Sequence, residues 1–139
     1  MKESFNLLQV TTLKAATFYL LNTATIRQAL EKFAFHKFSV VPILDEQGHY
    51  VTSLSEGDIL RFIAIESNFD KKKSENTCIM DIERYRPYNS VSIDASFDEL
   101  YAAALSQNFI PVVDDRNVFI GIVKRKDIFL YLKREIPSN

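Results

Sequence analysis

A stretch of eighteen residues occurs twice in this chain, and the repeat restricts the fold more than any other feature. The first copy begins Pro42-Ile43-Leu44-Asp45-Glu46. After a turn it runs Tyr50-Val51-Thr52-Ser53-Leu54-Ser55-Glu56-Gly57-Asp58-Ile59. The second begins Pro111-Val112-Val113-Asp114-Asp115 and ends Phe119-Ile120-Gly121-Ile122-Val123-Lys124-Arg125-Lys126-Asp127-Ile128. Every residue of the second copy lies 69 positions after its counterpart, from Pro42 and Pro111 to Asp58 and Asp127, without a gap. Self-similarity at a fixed period signals one structural unit used twice.

The elements around each copy repeat as well. Thr25-Ile26-Arg27-Gln28 fits a capping box. Ile26, Ala29, Leu30, Phe33 and Ala34 then fall on one helical face. Ser96-Phe97-Asp98-Glu99 is a second capping box, followed by Phe97, Leu100, Tyr101, Ala104 and Leu105 at the same steps. Lys14 to Leu21 reads as a β-capable run, Phe38 to Leu44 and Tyr50 to Leu54 as strands, and a helix begins near Ser55. In the second half Ser90 to Ile93, Phe109 to Val113 and Phe119 to Val123 read as strands, and a helix begins near Lys126. Each half is therefore strand, helix, strand, strand, helix. The expected fold is α/β (α+β), two pseudo-symmetric β-α-β-β-α repeats packed through their sheets. The expected division is an arm at 1–12, a first repeat at 13–69, a linker at 70–77 and a second repeat at 78–135. The lysine-rich 70–76 stretch reads as a solvated linker. Phe5, Phe69, Tyr85 and Tyr88 have no evident place in a core and read as a candidate exposed patch.

Composition narrows the function classes. The chain has 139 residues, 47% apolar and 25% charged, with a net charge of −1. That balance argues against a non-specific nucleic-acid binder. No apolar run reaches the length of a membrane span, and no signal peptide is evident, so the expectation is a cytoplasmic protein with no membrane or nucleic-acid partner. Cys78 is the one cysteine, which excludes an intramolecular disulfide and reads as a small buried hydrophobe. Three glycines give no phosphate-cradling loop, and His36 and His49 stand in no metal-ligand or triad spacing. We expect no catalytic residues, no metal and no required cofactor.

The pattern of Pro, two aliphatics, Asp, a turn, Gly-Ile-Val and a later Asp, typical in the second copy (Phe119 to Val123, then Asp127) and looser in the first (Tyr50 to Leu54, then Asp58), resembles the cystathionine-β-synthase (CBS) domain. The match spans roughly residues 13–135 and is similar to small bacterial proteins made only of a tandem CBS pair. The resemblance implies regulation rather than catalysis. It implies an adenosine-containing ligand (AMP, ADP, ATP, S-adenosylmethionine or cyclic di-AMP) bound in clefts between the repeats. One cleft would use Asp127, Lys124 and Ile122 with Phe38, Ser39, Lys14 and Ala15. The other would use Asp58, Ser55 and Ser53 with Gln107, Asn108 and residues around Ile79 and Met80. A homodimer is implied too. The alternative is a ligand-free dimerisation scaffold for an unidentified partner protein.

Chemistry supports part of this assignment. A carboxylate accepts from both ribose hydroxyls at once. Ser55-Glu56-Gly57-Asp58 can equally be an N-cap with acids in the first turn. Lys124-Arg125-Lys126 instead places three cations at a helix start, where the dipole disfavours them. A phosphate held by Lys124 and Arg125 would compensate. That contrast ranks the Asp127 cleft above the Asp58 cleft.

Overall fold

The computed structural model describes residues 5–36, 39–66, 70–84 and 87–136. Its strands are β1 (Thr12–Leu13), β2 (Leu20–Leu21), β3 (Val40–Leu44), β4 (Tyr50–Ser55), β5 (Val91–Ser92), β6 (Phe109–Val113) and β7 (Phe119–Lys124). Its helices are α1 (Ile26–His36), α2 (Glu56–Arg61), α3 (Lys71–Asn76), α4 (Phe97–Ala104) and α5 (Arg125–Glu135). Short turns of 3-10 helix occupy Leu7–Val10, Lys14–Ala16 and Ile79–Asp81, and a π turn at Phe62–Glu66 extends α2. Two sheets result, ordered β1-β7-β6-β5 and β2-β3-β4. In each, the tight hairpin is antiparallel and the strand before the helix is parallel.

The repeat is visible atom by atom in the hairpin turns. Asp45 Oδ1 accepts the Gln47 and His49 amides at 2.9 and 2.8 Å. Asp114 Oδ1 accepts the Arg116 and Val118 amides, both at 2.9 Å. An aspartate that holds the turn's own backbone this way explains why Asp closes each Pro-aliphatic-aliphatic run. Gly48 (φ 86°) and Asn117 (φ 65°) occupy the same left-handed position, which those two residue types tolerate. Both predicted capping boxes form. Thr25 and Gln28 exchange bonds of 2.9 and 3.3 Å, and Ser96 and Glu99 two of 3.1 Å.

The chain divides into two compact units that cut across the sequence repeats. One joins residues up to Thr17 to those from Tyr88 onward; the other is Phe18–Pro87. The first unit takes its core from Leu7, Val10, Phe97, Leu100, Ile110, Val112, Val123, Ile128 and Tyr131. The second takes its core from Leu20, Ile26, Phe33, Ile43, Leu54, Ile59, Phe62, Ile79 and Ile82. Val10 and Ile79 are repeat counterparts, and each serves the core of the other repeat. Burying such an aliphatic side chain stabilises by about 1.5–3 kcal/mol, so the exchange of leading segments is worth making.

Several expectations change here. The run from Lys14 to Leu21 is not one strand. The chain leaves one unit for the other within it, so β1 pairs with β7 and β2 with β3. Residues 71–76, expected as linker, form α3, because Asp70 caps the Lys73 amide at 3.0 Å and Ser74 is buried. Phe5 is not part of an exposed patch. Its ring meets Phe97 and Tyr131 edge-on at 5.4 and 5.2 Å. Tyr88 is half-buried against the Phe109 ring, while Phe69 and Tyr85 lie outside the described residues. Cys78 is half-buried, its thiol donating to the Asn22 carbonyl. On α4, Phe97 and Leu100 face the core, but Tyr101 and Leu105 of the same stripe are exposed.

Candidate functional site

Each candidate aspartate sits in the first turn of the helix that follows its hairpin. In both repeats the residue before the hairpin closes that helix start. Ser39 O accepts the Glu56 amide at 2.9 Å, and Asn108 O accepts the Arg125 amide at 3.3 Å. Beyond this shared scaffold the two aspartates differ.

In the unit Phe18–Pro87, Ser55 and Asp58 form a complete capping box. Ser55 Oγ accepts the Asp58 amide at 3.1 Å, and Asp58 Oδ2 accepts the Ser55 amide at 3.0 Å. Asp58 is only 3% exposed. Its carboxylate is committed to the backbone, as an N-cap arrangement requires. Ser53 is buried and bonded to Tyr50 Oη at 2.6 Å. Ser39 is exposed, and Phe38 lies outside the described residues.

In the other unit, Lys124 holds the cap position of α5 and its ammonium cannot accept a hydrogen bond. Only half of the reciprocal pair is left. Asp127 Oδ2 accepts the Lys124 amide at a long 3.4 Å, and Asp127 is half-buried rather than sealed. Asp127 lines a cavity of about 390 Å³ together with Gln9, Val10, Thr11 and Thr12 of the leading segment and Leu130, Lys133 and Arg134 of α5. Lys14 and Ala15 lie in the turn beside β7, and Ile122 pairs with Thr12. Asp127, Lys124, Ile122, Lys14 and Ala15 all belong to this unit, and of the five Asp127 lines the cavity.

Two further candidates are already engaged. Arg125 Nε donates to the Ala104 carbonyl, at the C-terminal end of α4, at 2.8 Å. A cation at a helix C-terminus is favoured, which accounts for Arg125 without a phosphate. Gln107 is buried. Its Oε1 accepts the Asn89 amide at 3.0 Å, and its Nε2 donates to the Asn89 and Phe109 carbonyls at 2.9 and 3.1 Å. Both donors of the amide are spent on bracing that loop. Sequence reasoning missed Lys133 and Arg134. The available signal was that Arg134 follows Asp127 by two helical turns and so shares its face. No group of three metal-ligating side chains occurs among the described residues, and no helix there is long and apolar enough to cross a membrane.

The sequence model of the CBS domain matches residues 17–65 and again 80–134, well over half of the chain. The chain belongs to the CBS-domain family. Its tandem repeats also superpose on solved CBS structures. CbpB in complex with c-di-AMP matches at a TM-score of 0.84 and 20% identity, over 94% of this chain and 85% of that one. A CBS domain protein from Streptococcus pneumoniae matches at 0.83 and 21%, over 93% and 87%. CBSX2 in complex with AMP matches at 0.76 and 19%, over 96% and 100%. At these identities the likeness is one of fold. No curated protein matches the chain by sequence.

Proposed function

We propose that this tandem CBS pair is a cytoplasmic regulatory module that senses an adenosine-containing nucleotide and catalyses no reaction. The observation that carries the reading is Asp127, a carboxylate released from full capping duty and opening on a cavity of nucleotide-compatible size. Its oxygens can accept the two ribose hydroxyls. Val10, Thr11, Thr12 and Leu130 supply backbone and apolar surface in the same cavity. The ligands of the structural neighbours, c-di-AMP in CbpB and AMP in CBSX2, support the ligand class. Sensing requires that the ligand bind one conformation of the module better than another.

Calorimetric titration with AMP, ADP, ATP, S-adenosylmethionine and c-di-AMP tests this directly. Saturable heat with one of them, lost in Asp127→Ala, is the expected result. Absence of heat and of any thermal shift with all five would overturn the reading.

The exposed apolar residues favour a further element, a homodimer. Leu105 and Phe129 are each 68% exposed in one unit, and Leu60, the repeat counterpart of Phe129, is 67% exposed in the other. Apolar surface left open this way commonly marks an interaction face. Light scattering on the wild type and on Phe129→Glu tests it. A monomeric wild type would exclude the homodimer and leave these faces to a different partner protein, the scaffold alternative.

A further inference from the structure

Arg125 does not share a face with Asp127, and Lys124, although its amide is bonded to Asp127, does not line the cavity that Asp127 lines. Successive helical residues turn by about 100°, so Arg125 and Asp127 point about 200° apart. The cavities confirm the separation. Arg125 lines an apolar groove with Tyr101, Leu105, Ile128, Phe129 and Leu132. Asp127 lines the cavity that holds Lys133 and Arg134. Arg125 is also tied to Ala104.

We propose that Lys133 and Arg134, rather than Lys124 and Arg125, receive the anionic group of the ligand whose diol Asp127 accepts. This rests on the nucleotide reading above and assigns the phosphate end of the same site. Arg134 lies seven residues beyond Asp127, a rise of about 10 Å along the helix. Helical side chains lean toward the N-terminus, and Arg134 lines the same cavity as Asp127. A ribose at Asp127 with its phosphate at Arg134 follows the helix axis. The guanidinium offers a planar fork of donors to phosphate, and the neighbouring ammonium adds a second charge. Gln9, Thr11 and Thr12 of the leading segment line the same cavity. Beyond Gln9 and Arg134 the surface continues past Tyr131 to Glu135, whose carboxylate repels a longer anion. The class favoured is therefore a compact nucleoside phosphate. The ligand would also touch the leading segment and α5 together, linking occupancy to the docking of residues 9–12.

The experiment compares wild type, Lys133→Ala/Arg134→Ala and Lys124→Ala by calorimetry with ADP, adenosine and inorganic pyrophosphate. Backbone amide shifts of Gln9–Thr12 and Leu130–Arg134 are followed in parallel. Lys133 and Arg134 are both exposed, so their truncation should leave the fold intact, as a thermal melt can verify. The double variant should bind ADP about tenfold more weakly or worse, with adenosine affinity unchanged. ADP affinity equal to wild type would overturn the proposal, as would a larger loss in Lys124→Ala. Pyrophosphate binding that disappears in the double variant, without nucleotide binding, would support the anion site and sink the nucleotide reading alone. Failure of the wild type to bind any of the three would overturn the proposal, whereas the nucleotide reading falls only if the five-ligand titration fails as well.

Discussion

Gly121 lies directly beneath the backbone of Thr12. A Cβ built on Gly121 would run into the Thr12 carbonyl oxygen and come within 2.9 Å of Thr11 Cγ2. This absent side chain is what lets β1 lie along β7 and makes one sheet four-stranded. The repeat counterpart is Thr52, and among the described residues no strand flanks β4 on that side of the three-stranded sheet.

Gly121→Ala should therefore expel β1 or strain it. The expected cost is about 1–3 kcal/mol, in the range of other overpacked sites. Urea denaturation measures it, and hydrogen exchange at Thr12 and Leu13 should rise with it. Thr52→Gly meets no such contact and should cost no more than about 1 kcal/mol, from backbone entropy. Equal losses at the two sites would show that close approach is not what Gly121 provides.

The two aspartates should separate stability from binding. Asp58→Ala removes one half of a complete capping box at a buried site, and should cost about 1–2 kcal/mol. Asp127→Ala removes a single long bond at an open site and should cost less, while abolishing nucleotide binding. Chemical denaturation paired with calorimetry on both variants decides this; a reversed order in either measurement would refute the assignment.

Asp45 provides a pH signature. The His49 amide bond, with help from the His49 ring and the Gln47 amide, holds its carboxyl below the ordinary value of 3.8. A carboxyl lowered in the folded state stabilises the fold fully above its unfolded value, about pH 4. That contribution is lost as pH falls through the lower folded-state value. Melting temperatures of wild type and Asp45→Asn should differ by a constant amount near neutrality and converge below about pH 4. A gap that stays constant down to pH 2 would contradict the linkage.

Gln107→Ala should strand the Asn89 amide and carbonyl and the bond to Phe109. Unpaired buried polar groups cost about 1–3 kcal/mol, and the 87–90 loop should loosen. Hydrogen exchange at Asn89 reads this locally. Unchanged protection there would mean that Gln107 is free for a ligand after all.

Much of the fold was legible because its signals are local. Thr25/Gln28 and Ser96/Glu99 cap helices through residues three positions apart. Asp45 and Asp114 hold turns within four positions. The hairpins follow from alternation and turn residues, and the period of 69 ties the halves together. Among the candidate site residues, Asp127 was singled out through the repeat, while the backbone partner of Arg125 was not legible. Its partner, Ala104 O, is twenty-one positions away and belongs to a helix whose placement no local pattern reports. Gln107 failed the same way: nothing near it in sequence says that Asn89 must be braced. The lysine run at 71–73 looked solvated, and its side chains are exposed, yet Asp70 and the buried Ser74 turn the segment into a helix packed on α1.

That this is a doubled unit, where its helices and hairpins begin, and that an aspartate opens the last helix of each copy all follow from the order of residues alone. Backbone capping and hydrophobic periodicity act over a few residues, so they are written in short stretches. Long-range packing is what makes the leading segments exchange cores and leaves Asp58 sealed and Asp127 half-buried. It alone set Asp127 with Lys133 and Arg134 and turned Arg125 away. Those outcomes depend on which surfaces remain uncovered once distant segments have packed, and burial is a property of the packed whole.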